Sequence, residues 1–61
     1  MKIYKVQPGD TLYSVAVKLY PNKIMYGIDL LNDVNNLYGK DTFLLDKMMN
    51  FELYSKELYY I

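Results

Sequence analysis

Tyr4-Lys5-Val6-Gln7-Pro8-Gly9-Asp10-Thr11-Leu12-Tyr13-Ser14-Val15-Ala16 holds a strand ending, a turn and a helix start in one short run. Ile3-Tyr4-Lys5-Val6-Gln7 alternates apolar and polar side chains, with β-branched residues at 3 and 6, and reads as a short strand with one buried face. Gln7-Pro8-Gly9-Asp10 must end it. Pro8 falls at the second position of a turn, where its fixed φ fits, and Gly9 at the third, where a type II turn needs positive φ. Leu12, Val15, Ala16 and Leu19 then recur at i, i+3, i+4 and i+7, the period of a helix with one apolar face. Asp10 directly precedes that pattern, so its carboxylate is expected to cap the amides of the first turn. Turn and helix together account for Gly9 and Asp10, whatever is bound there.

Outward from this run, Pro21 lacks a donor and pushes Tyr20 out of the α region, so the helix stops. A second helical pattern covers about Ile24 to Val34, with Ile24, Ile28, Leu30, Leu31 and Val34 on its apolar side and Asp29 and Asp33 opposite. Gly27 weakens that helix slightly. Asn35-Asn36 suit its exit, because Asn tolerates the left-handed conformation, and Leu37 is placed to fold back over the end. Tyr38 to Thr42 is polar with Gly39 and reads as a loop, and Asp41 is positioned to cap a turn over 42–47. Met49 to Tyr54 alternates again and is read as the returning strand; Leu58-Tyr59-Tyr60-Ile61 is too apolar to trail in solvent, and either extends the sheet or docks on a neighbour. The expected fold is α+β: a small βααβ domain over residues 1–54, a two-stranded antiparallel sheet packed on two helices, followed by a C-terminal extension over 55–61.

Composition narrows the chemistry. The 61 residues contain no cysteine and no histidine, which removes disulfides, thiolate and imidazole metal sites, and any Ser-His or Cys-His nucleophile pair. Ser14 and Ser55 have no base to activate them and read as ordinary surface residues. No enzyme and no cofactor are expected. Seven lysines balance seven acids, and arginine is absent, so nothing marks the chain for phosphate backbones or guanine edges; nucleic acid is not an expected partner. No stretch approaches eighteen apolar residues, which argues against membrane insertion. Met1-Lys2 runs straight into the strand pattern in place of a signal-peptide hydrophobic region, so the expectation is synthesis in the cytoplasm, with lysis or a larger particle carrying the protein out. At about 60 residues, roughly 60% of the unfolded surface disappears on folding. Burial then contributes about 95 kcal/mol against about 90 kcal/mol of ordering entropy, a margin that favours a plain binding or structural module.

The opening run, with Lys18-Leu19-Tyr20 and with Leu31 followed by Asn35-Asn36-Leu37, closely resembles the LysM family of small βααβ domains across residues 3 to 37. Beyond it, Lys47 and Met48 stand where that family has Pro-Gly, and Tyr54 where a proline usually follows the closing strand. The resemblance implies binding of N-acetylglucosamine polymers such as peptidoglycan or chitin, in a shallow groove between the first strand-helix loop and the loop before the second strand. By position, the implied ligand-binding residues are Gly9, Asp10, Thr11 and Leu12 in the first loop and Leu44 and Leu45 in the second. Gly9 would admit a close backbone approach, Thr11 would offer a hydroxyl, and Leu12, Leu44 or Leu45 an apolar floor. Family members also serve as building pieces of phage tails and baseplates. Leu19-Tyr20-Pro21-Asn22 with Tyr26 is similar to the Leu-Tyr-Gly-Asp pattern of tail-associated members, which makes a virion tail protein the alternative partner and leaves self-association open.

Other features carry two readings each. Asp29 and Asp33 share a helix face at i, i+4, which invites a calcium site, but two carboxylates fall short of the six or more oxygens calcium takes and suit a solvated face better. Tyr4 and Tyr13 flank the proposed groove and are placed either to stack on sugar or to pack beside the core. Tyr20, Tyr26, Tyr38, Tyr54, Tyr59 and Tyr60 exceed what so small a core hides and match the composition of interface centres, or else reflect coding bias. Met25, Met48 and Met49 read as gap fillers or adaptable contact surface.

Overall fold

The computed structural model describes residues 1–38 and 57–61. Strand β1 (Lys2–Lys5) leads to helix α1 (Leu12–Leu19), helix α2 (Ile24–Asn35) and strand β2 (Glu57–Tyr60), which returns antiparallel beside β1. The register pairs Lys2 with Tyr60, Ile3 with Tyr59, Tyr4 with Leu58 and Lys5 with Glu57. Both helices pack together, and α2 also packs on β2. This is the expected βααβ architecture. No helix among the described residues is long and apolar enough to cross a membrane.

The turn forms as its residues dictate: the Asp10 amide donates to the Gln7 carbonyl at 3.0 Å, and Gly9 takes φ 83. That φ is the one a type II turn assigns to its third residue. The two β-branched residues of the strand before it fall on opposite faces. Ile3 is 52% exposed, while Val6 is buried and Tyr4 packs against the core. Residues 3 and 6 have opposite parity in a strand, so they cannot share a face, and Val6 sets the inward one.

Helix α1 is capped by Thr11, not by Asp10. The Thr11 hydroxyl accepts from the Ser14 amide at 3.0 Å, and Ser14 Oγ accepts from the Thr11 amide at 2.9 Å, a reciprocal capping box. Tyr20 ends α1 with its amide on the Ala16 carbonyl, one residue before Pro21. Helix α2 closes with Asn36 in the left-handed conformation; the Leu37 amide donates to Asn32 and the Asn36 amide to Asp33, as in a Schellman motif. Leu37 then folds into the core as expected.

The buried cluster is Val6, Leu12, Val15, Ala16, Leu31, Leu37 and Leu58, flanked by Tyr4, Leu19, Tyr20, Ile24, Ile28 and Tyr60. Leu58 belongs to the strand that pairs with β1, so the apolar C-terminal residues form part of the sheet. The strand expected over 49–54, the turn over 42–47 and the boundary between 54 and 55 lie outside the described residues.

Gly27 has a packing reason. A Cβ there would meet Tyr20 Cδ2 at 2.5 Å and Tyr20 Cβ and Cγ at 2.8 Å, so only glycine lets α2 approach the end of α1 this closely. The Tyr20 ring makes edge contacts with Tyr26 and Tyr60, and its hydroxyl donates to the Ile61 carbonyl at 3.2 Å. Tyr20 and Tyr60 therefore tie helix to sheet and do not belong to a surplus of surface aromatics.

Candidate functional site: the first strand-helix loop

The loop from Gln7 to Thr11 is organised around Asp10, the buried charged residue of the described chain at 5% exposure. One carboxylate oxygen, Oδ2, accepts from the Tyr4 hydroxyl at 2.7 Å and from the Gln7 amide at 2.8 Å. The other, Oδ1, accepts from Lys18 Nζ at 3.1 Å and lies 3.2 Å from Ser14 Oγ. The single Ser14 proton is shared between that oxygen and the Thr11 carbonyl at 2.9 Å. Lys18 Nζ also donates to the Tyr4 oxygen at 3.0 Å and sits over the Tyr4 ring, 5.7 Å from its centroid. A strand, a turn and both ends of α1 thus converge on one carboxylate.

Ionisation follows from this geometry. Burial by itself pushes the Asp10 carboxyl upward, but the Gln7 amide, the Tyr4 hydroxyl and the Lys18 ammonium outweigh it, and Asp10 titrates below its ordinary value. The Tyr4 phenol is raised, first by burial and then by its bond to the Asp10 carboxylate. Lys18 is raised by its bonds to Tyr4 and to Asp10. Asp10 is therefore an anion with its lone pairs engaged inside the protein, and it stiffens the loop rather than reaching for a ligand.

The other implied loop residues divide by exposure. Gly9 is exposed, and a Cβ built on it would meet nothing within 4 Å, so its backbone borders open space. Thr11 is half-buried with its oxygen already accepting from Ser14. Leu12 is 6% exposed and sits in the core, so its side chain floors the helix and not a surface groove. Leu44 and Leu45 lie outside the described residues. Tyr13, on the first turn of α1, is 59% exposed at the rim of the loop, whereas Tyr4 is held by Asp10 and Lys18. The amides of Leu12 and Tyr13 find no acceptor among the described residues, as expected for the first turn of a helix.

Two contributors lacked a reading as site-builders in the sequence. Ser14 stands three residues after Thr11, a spacing that fits a capping box, with Ser in place of the usual Glu or Gln. Lys18 follows Ser14 by four, so both share the helix face that looks back onto Asp10. A separate shallow depression of about 260 Å³ lies along the outer face of α2, lined by Tyr26, Asp29, Leu30, Asp33 and Tyr38. Its two aspartates are exposed, and no group of three or more metal-ligating side chains gathers among the described residues.

The described residues thus form a small βααβ domain whose first strand-helix loop is braced by an inward-facing carboxylate. The family model for the LysM domain matches residues 4–44, two thirds of the chain, and the protein belongs to that family. LysM domains are in general non-catalytic modules that bind glycans containing N-acetylglucosamine. No curated protein and no solved structure gives a significant match to the chain.

Proposed function

We propose that this protein is a non-enzymatic module that recognises an N-acetylglucosamine polymer of the peptidoglycan or chitin type, with the loop Gly9 to Leu12 as the described half of its site. The observation that carries this reading is the match to the LysM model across residues 4–44, which spans this loop and reaches Leu44. The physics of the loop supports it. An acetamido sugar is neutral, with amide hydrogen-bonding groups and apolar C–H faces. Gly9 leaves its backbone open to close approach, the Leu12 and Tyr13 amides find no acceptor among the described residues, and the Tyr13 ring is exposed. The only charge in the loop is turned inward and matched by Lys18. Co-sedimentation with insoluble peptidoglycan and chitin tests the reading. Thr11→Asp preserves an N-cap side chain while placing a carboxylate at the rim, so it should release the protein from the pellet without lowering its melting temperature. Wild-type protein that stays in the supernatant with both polymers sinks the proposal.

The second reading is a structural piece of a phage tail or baseplate. Its supporting observation is the exposure of Tyr13, Tyr26 and Tyr38, each more than half accessible, with Met25 at 70%. It predicts a fixed copy number in purified particles and loss of incorporation on Tyr26→Ser with Tyr38→Ser. Deleting Leu58 to Ile61 cannot serve as the test, because it removes most of β2 and a core leucine.

A further inference from the structure

Lys18 stands in the last turn of α1, eight residues from Asp10 and fourteen from Tyr4, yet its ammonium reaches both. The Tyr4 hydroxyl in turn donates to Asp10, so the three groups close a ring. The two carboxylate oxygens are divided between elements: Oδ1 faces α1 through Ser14 and Lys18, and Oδ2 faces the strand side through Tyr4 and the Gln7 amide. Gln7 and Asp10 are joined twice, once by that side-chain bond at 2.8 Å and once by the Asp10 amide on the Gln7 carbonyl at 3.0 Å. Pro8 and Gly9 lie between the two joints, and Gly9 holds its positive φ there. An ionised carboxylate accepts at both oxygens and strengthens each bond it receives, whereas a protonated one turns one of its oxygens into a donor. Burial penalises the ionised form unless a cation lies beside it. Among the described residues Lys18 is the cation in contact with Asp10, and Lys18 of α1 and Tyr4 of β1 are the titratable groups that face it. Ser14 carries no charge and shares its one proton with the Thr11 carbonyl, so it cannot take the place of Lys18.

We propose that Lys18 is a positioning residue for the first loop: its ammonium holds Asp10 in the form that clamps Gln7 to Asp10, and through that clamp it fixes the Pro8-Gly9 backbone. What the loop binds rests on the glycan reading above; that Lys18 shapes the loop does not. The Lys18 side chain is 51% exposed, so water screens its pull on Asp10 and its loss should be felt in the loop more than in the fold. A control point at one end of α1 thus sets the backbone at the other end.

Two substitutions separate charge from packing. Lys18→Met keeps the apolar stem and removes the ammonium, and Lys18→Arg returns a cation with donors enough for both partners. Amide spectra of the free, full chain from pH 2 to pH 7 follow the Gln7 amide, whose acceptor is Asp10. In Lys18→Met its titration midpoint should rise toward the ordinary Asp value of 3.8, and in Lys18→Arg it should return to that of the wild type. At about pH 6 the Asp10 amide should exchange roughly fivefold faster in Lys18→Met, against less than about twofold at Leu31, whose exchange reports opening of the core. Affinity for soluble oligomers of N-acetylglucosamine should fall roughly threefold in Lys18→Met and recover in Lys18→Arg. An unmoved Gln7 midpoint in Lys18→Met overturns the proposal, since Tyr4 and Gln7 then suffice to hold the carboxylate. Equal acceleration at Asp10 and Leu31 also overturns it, as the mark of a general loss of stability, and so does a Lys18→Arg variant that behaves as Lys18→Met. Oligomers that shift no amide of the wild type would end the glycan reading, whereas the free-protein measurements decide the role of Lys18 by themselves.

Discussion

Asp10 concentrates the energetics of the loop, because four donors depend on a single buried carboxylate. Asp10→Ala leaves the Tyr4 hydroxyl and the Gln7 amide without their acceptor and should cost about 2–4 kcal/mol. That is a large share of the stability of so short a chain, so urea titration should show a clear fall in midpoint. The pH dependence has a definite sign. The folded Asp10 pKa is depressed, so its contribution is present above the unfolded value of 3.8 and is lost as pH falls through the folded pKa. Tyr4 and Lys18 are both raised, so their contributions are complete below the unfolded values of 10.0 and 10.5 and are lost as pH rises through the folded ones. Stability should form a plateau between these limits, and Asp10→Asn should remove the acid-side dependence that belongs to this group; urea midpoints measured from pH 2 to pH 11 check both arms.

At the level of elements, Gly27 decides how closely α1 and α2 approach. Gly27→Ala gains about 1 kcal/mol of helix propensity but drives a methyl into Tyr20 Cβ and Cγ, where overpacking costs about 1–3 kcal/mol. The net effect should be a loss, read as a fall of several degrees in melting temperature; a rise would show that the Tyr20 ring swings aside freely. Asn35→Leu should cost about 1–2 kcal/mol, because it strips both backbone groups of Tyr59 of their partner at an edge that water still reaches. The order strand, turn, helix, helix could be read from Pro8-Gly9, Pro21 and Asn35-Asn36, since those residues restrict their own backbone and need no distant partner. The cap assignment was ambiguous for a physical reason: Asp10 and Thr11 are adjacent and both suit an N-cap, and only the inward pull of Tyr4 and Lys18 on Asp10 settles which one serves. Long-range facts stayed hidden for the same reason. The inward face of β1, the glycine under Tyr20 and the Asn35 stitch to β2 all depend on what lies across the fold.

Among the described residues the molecule has a core of seven buried apolar side chains with a braced first loop beside it. Folding energy invested in Asp10 fixes the backbone around Gly9, and under the proposed function that preorganisation lowers the ordering cost of glycan binding. The sequence could single out the loop Gly9 to Leu12, the described half of the proposed site, but not which of its residues face outward; Leu12 turned inward because the apolar stripe of α1 needs it, leaving Gly9, Thr11 and Tyr13 less buried. Tyr13→Ala should therefore weaken glycan binding by roughly tenfold with little change in melting temperature, since stacking surface is lost without core contact. The most direct measurement is an amide chemical-shift titration of the intact chain with soluble oligomers of N-acetylglucosamine. Saturable shifts centred on Gly9 to Tyr13, absent in Thr11→Asp, are the predicted result; a spectrum that does not respond, or one that responds only along Tyr26 to Tyr38, would contradict it.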